Sequence, residues 1–196
     1  MGETGQEAFA ERKNPVTQPG KKGLIRRLLG NRKGSTAIEF TALAIPFSFL
    51  VFAILESSIS FAGQQIMANA GDTIARQLRT GQLRPADITE VKLKQLVCDK
   101  LSIIVASDCP GLEVDLRQFN TFDAASKVRI KLTSDKDIDT SDFDVKPGGS
   151  LTINMLRVFY RWPVMTDLMR SSMSNLKDGK TLLFSTITWR NEPFDD

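Results

Sequence analysis

The chain has 196 residues, of which 41% are hydrophobic, and a net charge of +3, values that fit a folded protein better than a wholly disordered one. It contains no histidine, which removes the most common general base and the most common metal ligand. No phosphate-binding glycine loop and no nucleophile–base set takes its place, so we expect neither enzymatic activity nor a cofactor.

Residues 1–34 read as a polar, basic leader. They carry a net charge of +5, whereas residues 35–196 carry −2, and six of the leader's basic residues lie between Lys21 and Lys33. Cytoplasmic flanks of membrane helices show such an excess. The basic residues are not interleaved with aromatic ones along the rest of the chain, so we do not expect nucleic-acid binding.

An apolar run follows the leader. Sixteen uncharged residues extend from Phe40 to Leu55, bounded by Glu39 and Glu56. With the uncharged residues 57–62 the run reaches the roughly 20 residues that a bilayer requires, and Pro46 is tolerated within such a span. The pattern predicts a transmembrane helix over residues 35–62; a buried core helix is the alternative. The basic leader would stay in the cytoplasm and residues 63–196 would cross the membrane.

The helix is predicted to continue to Arg79, because apolar residues recur every four positions, at Ile66, Ala70, Ile74 and Leu78, before Gly81 ends the pattern. A second helix is predicted from Pro85 or Asp87 to about Val105. Strands are then predicted at residues 113–119, 127–132, 151–162 and 180–190, where side chains alternate in polarity.

Two stretches between these strands allow two interpretations each. Methionine-rich residues 163–176 predict a helix that packs on the sheet, or else a methionine surface for a membrane or a partner. The aspartates of residues 134–144 predict a solvated loop, since a calcium loop would need glycine at Thr140 and glutamate at Lys146. Together the elements predict an α+β fold: a long N-terminal transmembrane and amphipathic helix packed on a small antiparallel sheet domain.

The segment from Gly34 to Phe40, "GSTAIEF", resembles the processing site of type IV prepilins: basic residues, a glycine, a small polar residue, and a glutamate at the fifth position of an apolar helix. That resemblance implies that a membrane peptidase cuts after Gly34. The α-amine created at Ser35 would then be neutralised by the Glu39 carboxylate, because a buried charge requires such a partner.

A longer segment, "GSTAIEFTALAIPFSFLVFAILESSISF", is similar to the TadE-like family of Tad/Flp pilus proteins, and Glu56 matches that family's second glutamate. Residues 68–82, "ANAGDTIARQLRTGQ", and the C-terminal "STITWRNEPF" resemble further blocks of the family. The resemblance implies a minor pilin or pseudopilin in the bacterial inner membrane, with a cytoplasmic leader (1–34) that is removed and a periplasmic domain (63–196).

Its implied partners are the prepilin peptidase, other pilins (among them a second TadE- or TadF-like protein), the pilus assembly platform and the membrane itself. The alternative is a single-pass periplasmic binding or scaffold protein that is never cleaved. Export would favour one disulfide between Cys98 and Cys109 over two free thiols.

Overall fold

The computed structural model describes residues 35–195, and the predicted leader lies outside them. The described residues divide into two units, residues 35–48 and residues 49–195, and helix α1 (Ser35–Arg79) contributes to both. Its bounds equal those predicted from the apolar run and the four-residue period.

The second unit adds short helices and four strands to the C-terminal part of α1. A 3-10 turn (Pro85–Asp87) precedes α2 (Glu90–Leu101), and the remaining elements are β1 (Leu112–Phe119), α3 (Phe122–Ser126), β2 (Val145–Lys146), β3 (Ile153–Pro163), α4 (Asp167–Met173), a 3-10 turn (Lys177–Gly179) and β4 (Lys180–Arg190).

The strands form one sheet in the order β2-β1-β3-β4. β3 pairs antiparallel with both β1 and β4, in a register that aligns Leu116, Leu156 and Ile187 across the sheet. The two-residue strand β2 runs parallel to β1, so the sheet is mixed although its three long strands are antiparallel as expected. The predicted α+β class is confirmed.

The hydrophobic core lies between one face of this sheet and the helices α1 and α2. From α1 it takes Met67, Ile74 and Leu78, all at most 3% exposed. Two glycines let α1 approach closely: a Cβ atom on Gly63 would lie 2.9 Å from the Trp162 ring, and one on Gly71 would lie 2.5 Å from the Ile187 side chain.

Residues 127–132 were predicted as a strand, and this prediction is wrong. Within the segment only Leu132 makes a bridge, to Ile138, outside the sheet. Its alternation is real, but the place beside β1 is taken by Val145 and Lys146, which pair with Leu116 and Arg117. The segment therefore has no strand to pair with and runs as a loop.

Two predicted helices are present but shorter than expected. α2 begins after Thr89, whose hydroxyl accepts a hydrogen bond from Lys92 N, an N-cap that satisfies one otherwise unpaired amide. The methionine-rich stretch forms only the seven-residue α4.

Candidate functional site

The apolar part of α1 presents large hydrophobic side chains outward. Phe40, Leu43 and Phe47 are 72%, 72% and 64% exposed. The helix is long and apolar enough to cross a membrane, and its most apolar 18-residue stretch is not buried in the protein at all. A contiguous apolar surface of this kind marks contact with a membrane or a partner.

Three hydroxyl groups in or next to the apolar run are satisfied within α1. Thr41, Ser57 and Ser58 each donate to the carbonyl oxygen four residues earlier, at 2.8–2.9 Å. Such internal pairing lets polar side chains enter an apolar medium, where an unpaired hydroxyl costs several kcal/mol. Pro46 lies inside the same helix, where its missing N–H leaves one carbonyl without its usual donor.

Only part of the predicted processing site lies within the described residues. Gly34 lies outside them, Ser35 is the first residue of α1 and Glu39 is exposed one turn later. Positions four apart lie on the same face of a helix, so the Glu39 side chain is on the side of the helix where Ser35 sits. Cleavage after Gly34 stays a prediction.

Glu56, predicted as the outer limit of the apolar run and as the match to the family's second glutamate, forms hydrogen bonds to a distant part of the chain. Its carboxylate accepts hydrogen bonds from the backbone N–H of Met165, from the backbone N–H of Thr166 (3.3 Å) and from the Thr166 hydroxyl. Thr166 directly precedes α4, so Glu56 fixes the start of that helix against α1. No local pattern could have predicted a contact across about 110 residues.

Two open grooves flank the contact between α4 and α1. One, of about 340 Å³, is lined by Phe49, Phe52 and Ala53 of α1 and by Thr166, Asp167 and Met169. The other, of about 470 Å³, is lined chiefly by apolar groups of Phe61, Met173 and Leu183. Met173 also approaches the Ser57 hydroxyl, 3.8 Å from its sulfur atom.

The two cysteines form the predicted disulfide. Cys98 lies in the last turn of α2, Cys109 lies in the loop before β1, and their Cα atoms are 5.8 Å apart. Both are at most 9% exposed, so the bond is part of the core that α2 makes with the sheet.

The aspartate-rich loop has a structural role. Asp137, 16% exposed, pairs with Arg161 at 2.9 Å and with Lys177 at 3.2 Å. Burial alone would raise the pKa of Asp137, but hydrogen bonds from Arg161, the Ile138 amide and Lys177 outweigh it and lower the pKa to about 2. Asp135 is exposed as expected, whereas Asp137 is not. Among residues 35–195 no three acidic, cysteine or histidine side chains are placed to hold a metal ion.

Comparison with known proteins gives one match. The family model described as TadE-like protein matches residues 34–76, which confirms the predicted resemblance over the first block and over part of residues 68–82. No curated protein and no solved structure matches the chain. The matched segment includes the apolar helix, Glu39 and Glu56, and it supports an association with a Tad pilus system.

Proposed function

We propose that this chain is a minor pilin or pseudopilin of a Tad/Flp type IVb pilus, and that it acts by helix packing rather than by turnover of a substrate. The observation that carries the proposal is the family match, which starts at Gly34 and runs along the helix whose apolar side chains are exposed. A structural subunit needs such a surface, because the helices of neighbouring subunits associate by packing their side chains against each other.

The proposed topology follows from charge and length. Residues 1–34 are a cytoplasmic leader, residues 35–62 cross the bacterial inner membrane, and residues 63–196 form the periplasmic domain. The +5 charge of the leader supports this orientation. The disulfide supports it independently, because disulfides persist in the periplasm and are rare in the cytosol.

Processing would convert this membrane protein into an assembly unit. The prepilin peptidase removes the leader after Gly34, and Ser35 acquires a charged α-amine next to the apolar run. The Glu39 carboxylate, one helical turn away, neutralises that amine within the subunit or between neighbours. Subunit helices then pack together and carry the domain into the pilus. A second TadE- or TadF-like protein and the assembly platform are the partners in this step.

The N-terminus of the mature protein tests this proposal against an uncleaved, single-pass scaffold. We expect the intact mass of protein extracted from native membranes to correspond to residues 35–196. Replacing Gly34 with a bulky residue should leave the full chain, and Gly30→Leu, in the same leader, should be processed normally. A native protein that keeps its leader in cells with active prepilin peptidase would refute cleavage and favour the scaffold.

The role of Glu39 is tested separately from cleavage. We expect Glu39→Val to insert normally, since removing a carboxylate from the edge of a span lowers the cost of insertion. It should fail to crosslink to partner pilins, because the Ser35 amine would be buried without a counter-charge. Thr41→Val, on the same helix, should insert and crosslink like the wild type. Normal assembly of Glu39→Val would refute the pairing, and failed insertion would show that the glutamate acts earlier.

A further inference from the structure

A second apolar surface lies beside the end of the apolar run, and it comes from a distant part of the chain. Met165 is 74% exposed, and Met169 lines the groove that it shares with Phe49 and Phe52 of α1. The two phenylalanines are themselves 54% and 58% exposed. We call Met165 and Met169, with this groove, the methionine shoulder.

The position of the shoulder along α1 is fixed by Glu56. Hydrogen bonds from Met165 N and Thr166 to the Glu56 carboxylate hold the start of α4 at that residue. The sixteen uncharged residues that separate Glu39 from Glu56 correspond to about 24 Å of helix, somewhat less than the roughly 30 Å hydrocarbon core of a bilayer. A hydrocarbon core centred on the run therefore ends within about one helical turn of Glu56, at the level of the shoulder, and residues 57–62 continue the span through the headgroup region.

The composition of α4 and of the residues just before it suits a position at the membrane surface. The side chains of Asp167 and Arg170 are 91% and 46% exposed and form an ion pair at 2.7 Å, and Ser171 and Ser172 are also exposed. Met165 and Met169 supply the apolar part. A short segment that carries both exposed charged groups and apolar side chains suits the boundary between headgroups and acyl chains.

We propose that the methionine shoulder inserts into the acyl–headgroup boundary of the membrane that α1 spans, so that the protein contacts lipid at two places. Lipid is the occupant because the groove is continuous with the span: Phe49 and Phe52 belong both to the uncharged run and to the groove wall. The flexible, polarisable methionine side chain adapts to a disordered surface. This inference rests on the proposed membrane anchoring but not on cleavage or pilus assembly.

Lipid-dependent quenching of fluorescence tests the shoulder in the full-length protein. A thiol-reactive fluorophore is placed at Met165→Cys, at Phe47→Cys within the span and at Thr188→Cys on the exposed part of β4, in separate variants that keep the native disulfide. Each is reconstituted alone into vesicles of phosphatidylethanolamine and phosphatidylglycerol that contain lipids brominated either near the headgroup or deep in the acyl chain.

We expect deep bromines to quench the fluorophore at position 47 and shallow bromines to quench the one at position 165 several-fold more than the one at position 188. If position 47 is quenched but position 165 matches position 188, anchoring stands and the shoulder proposal is overturned. Protection of position 165 that appears only when a second pilin is added would likewise overturn it and assign the surface to protein. If position 47 is not quenched, membrane anchoring itself fails, and the shoulder proposal fails with it.

Discussion

The buried ion pair between Asp115 and Arg157 gives a quantitative test of how the second face of the sheet is stabilised. Asp115 is fully buried and accepts hydrogen bonds from Arg157 Nε at 2.8 Å and from the Asp144 amide at 3.1 Å. Arg157 Nη2 lies 2.7 Å from Asp115 Oδ2, the same oxygen that accepts from Nε. Arg117 adds a third pairing at 2.9 Å.

We expect Asp115→Leu to lower the free energy of unfolding by about 3–5 kcal/mol, because it leaves the Arg157 guanidinium, 4% exposed, without its counter-charge. The rings of Phe143 and Phe159, with centroids 5.2 and 5.4 Å from Arg157 Cζ, contact the guanidinium with or without Asp115, so they do not replace the lost counter-charge.

The double variant Asp115→Leu with Arg157→Met distinguishes the cost of leaving Arg157 unpaired from the cost of losing the ion pair. It removes both charges, and replacing a buried pair with apolar side chains of similar size is often neutral or stabilising. Two losses remain: the acceptor for the Asp144 amide, about 1–3 kcal/mol, and the partner of Arg117, whose side chain is 27% exposed and therefore reaches solvent. We therefore expect the double variant to be more stable than Asp115→Leu alone.

Urea unfolding of the detergent-solubilised full chain, followed by tryptophan fluorescence, provides the measurement. The chain has two tryptophans, Trp162 and Trp189, and both are buried in the sheet domain, so the signal reports unfolding of that domain. The reasoning would be refuted if Asp115→Leu lay within about 1 kcal/mol of the wild type, or if the double variant were no more stable than the single one.

Three further predictions use the same assay. Replacing both Cys98 and Cys109 with serine should cost about 3 kcal/mol, since the bond closes a loop of about twelve residues; an unchanged urea midpoint would contradict this. Asp137 has a pKa lowered from 3.8 to about 2, so its stabilisation is complete above about pH 4 and is lost as the pH falls towards 2. The difference in free energy of unfolding between wild type and Asp137→Asn should therefore shrink by at most about 2 kcal/mol over that range. A difference that stays constant with pH would exclude the ion pairs as its source. Gly63→Val should destabilise the domain by about 1–3 kcal/mol by pushing against the Trp162 ring, whereas Gln65→Val, at an exposed position of the same helix, should change stability little.

The sequence alone determined the long helix and the long strands. The uncharged run and the four-residue period predicted α1 from Ser35 to Arg79, and strict alternation predicted β4 from Lys180 to Arg190, because both signals lie in neighbouring residues. The prediction of the processing site also depends on neighbouring residues alone: Gly34 and Glu39 are identified by their spacing, and the family match covers them.

Only the tertiary structure decided which segments meet. Residues 127–132 have the alternation of a strand, yet Val145 and Lys146 hold the edge beside β1, and a strand without a partner cannot satisfy its backbone groups. The contact of Glu56 with Thr166 joins residues about 110 positions apart. Local patterns fix the form of each element, whereas the pairing of elements depends on competition among all segments of the chain for the same edges, faces and polar groups.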